Sequence, residues 1–101
     1  MLPCALKRGV SVVTFNNTCY GRLLRPREGR APTAADCYRY SLLQPGVTAC
    51  LSAPADLAQL DETLSVAADP ALPPERLGWL LEHGAEVYRE ETNFRRTIRA
   101  L

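Results

Sequence analysis

Long apolar runs, an excess of charge of one sign and paired metal-ligand spacings are all missing from this chain. The longest uncharged stretch, Gly9 to Gly21, is polar over its second half and too short to span a bilayer. Twelve Lys and Arg stand against 11 Asp and Glu, a net charge of +1, so no global field draws the chain to nucleic acid or to an anionic membrane. The four cysteines stand at positions 4, 19, 37 and 50, and the one histidine is His83. No two of these are close enough for a chelating pair, which argues against a zinc or iron–sulfur site. His83 also lacks the Ser or Cys partner pattern of a hydrolytic triad. No basic, apolar, small-residue export pattern opens the chain, so the expected compartment is cytoplasmic. A disulfide scaffold, which needs export, is not expected.

What is present is ordinary globular composition. Of 101 residues, 47% are hydrophobic and 23% charged, enough for one domain with a modest core. Leu2 to Arg8 reads as the last turns of a helix, stopped by Gly9, so the chain is expected to begin in the middle of an element. Residues 9–16 read as a strand because Val10, Val12, Val13 and Phe15 are β-branched or aromatic. Asn17 to Pro32 is a loop holding Arg22, Arg25, Arg27 and Arg30, the only local basic cluster. It reads as a solvated loop, or as one arginine, Arg22 first, reaching a phosphate. Residues 33–43 read as a helix, with Thr33 and Asp36 as a variant capping box.

The most informative stretch, Gln44 to Leu64, reads QPGVTACLSAPADLAQLDETL. A turn at Pro45-Gly46 leads into a strand over 47–52, uncharged and suited to burial on both faces. Ser52-Ala53-Pro54 bends the chain, and Asp56 with Gln59 forms a capping pair for a helix over 56–67. A strand feeding a helix N-terminus directs free N–H groups and the positive end of the helix dipole at one spot, a candidate anion site. The rigid DPALPP linker follows, and residues 75–100 read as terminal helices. The first is about 75–82, with Gly84 as its stop and His83 at its end; the last carries Val87, Phe94, Ile98 and Leu101 on one stripe. The acidic Glu82, Glu86, Glu90 and Glu91 argue against a DNA-facing helix-turn-helix there.

Strands joined by helices of this length lie parallel. Two parallel strands alone make a poor sheet with open apolar edges. The expected fold is therefore α/β, a piece of a larger sheet or barrel or half of an oligomer that completes one.

The motifs in order resemble the aldo-keto reductase family. Ala53-Pro54-Ala55-Asp56 and Gln59-Leu60-Asp61-Glu62-Thr63-Leu64 stand where many members read approximately G-P-K-N-x-x-Q-L-E-E-N-L. GVSVVTFNNTCYGRLL resembles the seventh strand and its loop, and AADCYRYSLLQPGVT sits where the family places the next helix. The resemblance covers nearly the whole chain. It implies a partial (β/α)8 TIM barrel: two parallel strands with helices, the last two β/α units plus C-terminal helices. It also implies an NAD(P)H-dependent oxidoreductase acting on aldehydes or ketones, with a partial site for NADP or NAD.

By that resemblance Phe15 stacks on the nicotinamide, while Asn16, Thr18 and Tyr20 line the loop beside the pyrophosphate. Ser52, Ala53 and Pro54 pass beneath the adenosine phosphate, and Gln59, Glu62 and Thr63 face the adenine and its ribose. Gln59 replaces a common Arg, no basic residue stands near Ala53 or Ala55, Thr63 replaces the usual Asn, and Asn17 a common Pro. The cofactor is thus NADP or NAD. The family's catalytic Asp, Tyr, Lys and His belong to the first half of a barrel of about 250 residues, and no catalytic residue is expected in this chain. Tyr38 and Tyr40 are expected to pack on a helix outside the barrel, far from its mouth. The alternative expectation is a non-catalytic piece that self-associates, or pairs with the rest of a barrel, through its exposed sheet edges.

Overall fold

A computed structural model of the chain describes residues 1–100. It is mixed α/β, with four α-helices and two parallel strands in one sheet. Helix α1 (Leu2–Lys7) closes with two crossed bonds, Val10 N–H to Ala5 C=O at 2.9 Å and Gly9 N–H to Leu6 C=O at 3.2 Å. That closure requires a left-handed residue after the cap, and Gly9 supplies it at φ +68°. Strand β1 (Val12–Thr14) is shorter than the apolar pattern over 9–16, because only these residues find a partner. It pairs with β2 (Val47–Cys50) through Val12–Val47, Val13–Ala49 and Thr14–Cys50, with a bulge after Val12.

Between the strands lies α2 (Ala34–Leu43), which packs on β2 and on α3 (Leu57–Ala68). The capping box of α2 is complete: Thr33 Oγ1 accepts from Asp36 N–H and Asp36 Oδ2 from Thr33 N–H, each at 3.1 Å. At α3 the reciprocal bond shifts one residue upstream. Asp56 Oδ1 accepts from Gln59 N–H at 2.8 Å, but Gln59 Oε1 takes the N–H of Ala55, also at 2.8 Å.

The terminal region departs from the sequence expectation. It is one continuous helix, α4 (Pro74–Ala100), running straight through Gly84, and His83 is a buried mid-helix residue rather than a helix end. The reason is tertiary. One face of α4 is held against the 17–32 loop, where His83 Nε2–H donates to Leu23 C=O at 2.8 Å. Trp79 lies under the guanidinium groups of Arg30 and Arg76, 3.9 and 4.7 Å from its ring centre. Such contacts outweigh the roughly 1 kcal/mol that a mid-helix glycine costs relative to alanine. Leu101, assigned above to the apolar stripe, lies outside the described residues.

The buried apolar residues are few: Ala35 and Cys37 of α2, Val66 of α3 and Val87 of α4. The strand expected to be buried on both faces is not, since Thr48 and Ala49 are exposed and Leu51 beyond it is 62% exposed. Accessible surface totals 7489 Å², against about 5,700 Å² for a compact monomer of this mass. The radius of gyration, 15.0 Å, likewise exceeds the roughly 13 Å of a compact domain of about 100 residues.

Candidate functional site

The loop that leaves β2 is tied to the end of β1. Leu51 N–H donates to Thr14 C=O at 2.8 Å, and Asn17 Nδ2 reaches Leu51 C=O at 3.4 Å. Asn17 is itself held by the Thr14 hydroxyl, which donates to its Oδ1 at 2.7 Å. These bonds fix Ser52-Ala53-Pro54 beside the first turns of α2 and α3, and a cleft of about 440 Å³ opens there.

Seven of the ten residues assigned to a cofactor line this cleft: Thr18, Ser52, Ala53, Pro54, Gln59, Glu62 and Thr63. The other three do not. Phe15 and Tyr20 are 72% and 84% exposed and stand outside it. Asn16 spends its side chain on the loop itself, its Oδ1 accepting from Tyr20 N–H at 2.6 Å. The same loop holds Asn16, Cys19 and Tyr20 at φ +54° to +56°, conformations costly for side chains with a Cβ and concentrated at functional or switch segments. The sequence expectation runs the strand through Asn16; the signal that could have shown this loop is the adjacent Asn16-Asn17 pair with Gly21, residue types that tolerate such φ values.

Within the cleft a row of hydroxyls runs from helix to helix. Tyr38 Oη donates to Ser52 Oγ at 3.0 Å, Ser52 Oγ lies 3.3 Å from Thr63 Oγ1, and Thr63 Oγ1 donates to Gln59 C=O at 2.9 Å. Tyr38 is thus a cleft residue, not one packed far from the site as expected. The spacing could have shown it, because Ala34 and Tyr38 are i, i+4 on one face of α2 and both line the cleft. Glu62 reaches across to the start of α2, where its Oε1 accepts from Ala35 N–H at 3.2 Å. The carboxylate thereby occupies the positive end of the α2 dipole.

The loop arginines are turned the other way. Arg22 pairs with Glu91 and Arg27 with Glu90, both on α4, while Arg30 lies on Trp79. Neither sequence reading of Arg22, solvated or phosphate-directed, describes this: it is a strap between loop and helix. The hydrogen bond from Arg27 holds the Glu90 carboxyl below its ordinary range and raises the guanidinium in turn.

A second recess, about 350 Å³ and mostly apolar, lies between α2, α4 and the loop, beside His83, Cys37 and Asp36. Burial, with the nearby charges of Asp36 and Glu62, pushes the Cys37 thiol up to about 11, so it is an inert core group rather than a nucleophile. Among the described residues no three His, Cys, Asp or Glu side chains gather as a metal site, and no helix is long and apolar enough to cross a membrane. Compared with known protein families, curated proteins and solved structures, the chain matches none.

Proposed function

We propose that this chain is the C-terminal part of an aldo-keto reductase-like oxidoreductase, contributing the adenosine side of its nicotinamide-cofactor site and none of its catalytic groups. The observation that carries the reading is the cleft. Six of its seven expected residues come from one strand–loop–helix unit, and Thr18 joins them from the loop after β1.

The chemistry of the lining fits a nucleoside. Five hydroxyls, the Gln59 amide and the Glu62 carboxylate offer donors and acceptors for ribose hydroxyls and for base edges. When bound, the nicotinamide cofactor supplies hydride to a carbonyl substrate. This chain's residues orient the distant end of that cofactor; the proton donor comes from barrel units outside it.

Titration of the isotopically labelled chain with NAD tests this. Amide shifts are expected to concentrate at Thr18, Ser52, Gln59 and Thr63. Shifts confined to other surfaces, or none at millimolar cofactor, sink the reading. The same sample should oxidise no NADH or NADPH with a broad aldehyde panel, and turnover above background would refute the missing-half assignment.

A second reading, a non-catalytic piece that pairs through open sheet edges, is favoured by one observation. Phe15, Leu51 and Val13, all at or just beyond the strands, are more than half exposed.

A further inference from the structure

Charge, rather than shape, distinguishes this cleft from the rest of the surface. Glu62 is the one Asp, Glu, Lys, Arg or His among its lining residues. No basic side chain lines it: Arg25 borders the recess against α4 with Glu90 and Glu91, Arg30 lies on Trp79, and the other nearby arginines are engaged elsewhere. Arg22 and Arg27 pair with α4, Arg76 with Asp36, and Arg39 donates to Asp69 C=O at 2.8 Å. The two helix N-termini beside it offer little compensation: at α2 the Ala35 N–H is taken by Glu62 itself, and at α3 the Asp56 carboxylate is the cap, with the Ala55 N–H taken by Gln59. A dianionic group entering the cleft would therefore meet a fixed carboxylate with no cation in the lining to neutralise either. A neutral diol would meet an acceptor in Glu62 and partners in the Ser52 and Thr63 hydroxyls.

We infer that this cleft selects the nicotinamide dinucleotide with a free 2′-hydroxyl, NAD, and rejects the one with a 2′-phosphate, NADP. The inference rests on the adenosine-site reading above and assigns Glu62 as the residue that sets the selectivity. NAD and NADP differ only in that phosphate, so the pyrophosphate and nicotinamide contribute equally to both and cancel in the ratio.

The test measures binding of NAD and NADP to the full chain by calorimetry, at low and at raised salt. NAD is expected to bind at least about tenfold more tightly than NADP at low salt, with the ratio narrowing as salt screens the carboxylate. Glu62→Gln keeps the oxygen that accepts from Ala35 N–H and removes the charge, so it should narrow the ratio without unfolding α2. Ala53→Lys, at an exposed lining position, should narrow it from the other side by adding a cation. Equal binding of both cofactors, tighter binding of NADP, or a ratio indifferent to both substitutions overturns the selectivity and leaves the adenosine site standing. Binding of neither cofactor overturns the adenosine site and the selectivity together.

Discussion

Asp36 is the most heavily used side chain in the molecule. It is buried, and its carboxylate accepts from Thr33 N–H at 3.1 Å and from Arg76 Nε at 3.1 Å. Burial pushes its carboxyl up, but the bonds from Arg76 and Thr33 outweigh that and leave it below the ordinary carboxylate range. Because the folded value is depressed, its stabilisation is present above the unfolded value of about 3.9 and is lost as pH falls through the folded value. Urea unfolding should therefore show stability flat near neutrality and falling below about pH 4. Asp36→Ala removes one partner of a buried pair and exposes Thr33 N–H and Arg76 to unmet bonding. A loss of about 3 kcal/mol is expected, together with a shallower acid limb; an acid limb as steep as in the parent would place the pH sensitivity elsewhere. Tyr38 and Glu62 carry the lesson of this scale. A residue's spacing on a helix shows which face it shares, but the partner on the other side of the cleft comes from another part of the chain.

At the scale of elements, the caps were legible in local sequence. Thr33 with Asp36 and Asp56 with Gln59 read directly as helix starts, since a cap is decided within four residues. Gly84 was not. Glycine after an apolar periodic run ordinarily signals a stop, yet here the glycine lies mid-helix with no heavy atom within 4 Å of where a Cβ would stand. The loop straps, Trp79 and His83 hold the helix on both sides of it. Gly84→Ala is expected to raise stability by roughly 0.5 to 1 kcal/mol, measured as a higher urea midpoint. A stop glycine would respond in the opposite direction, so a fall in the midpoint would show that α4 breaks there.

The whole molecule exposes more than a compact chain of its mass should. The excess over the expected surface is on the order of 1,800 Å², and Phe15, Leu51 and Leu57 remain more than half exposed. Phe94 and Ile98, on the α4 stripe, are also about half exposed, so the stripe is covered at Val87 and open beyond it. Exposed apolar side chains in this number favour association. Sedimentation equilibrium should show concentration-dependent self-association or aggregation, and added salt, which weakens ion pairs but not apolar contact, should not dissolve it. A monodisperse monomer at high concentration that binds no hydrophobic dye would show that this surface needs no cover.

Local sequence settled the helix caps, the turn at Gly9, the two strands and their order, because each depends on a few neighbouring residues and on backbone sterics. The family resemblance, rather than local pattern, named seven of the residues that share the cleft. Only the tertiary structure decided which way the loop arginines face, that Tyr38 reaches Ser52, that α4 runs unbroken through Gly84, and that Phe15 and Tyr20 stand apart from the cleft. Those outcomes depend on groups distant in sequence competing for the same partners. Arg22 and Arg27 found carboxylates on α4, and the cleft was left with Glu62 as its one charge.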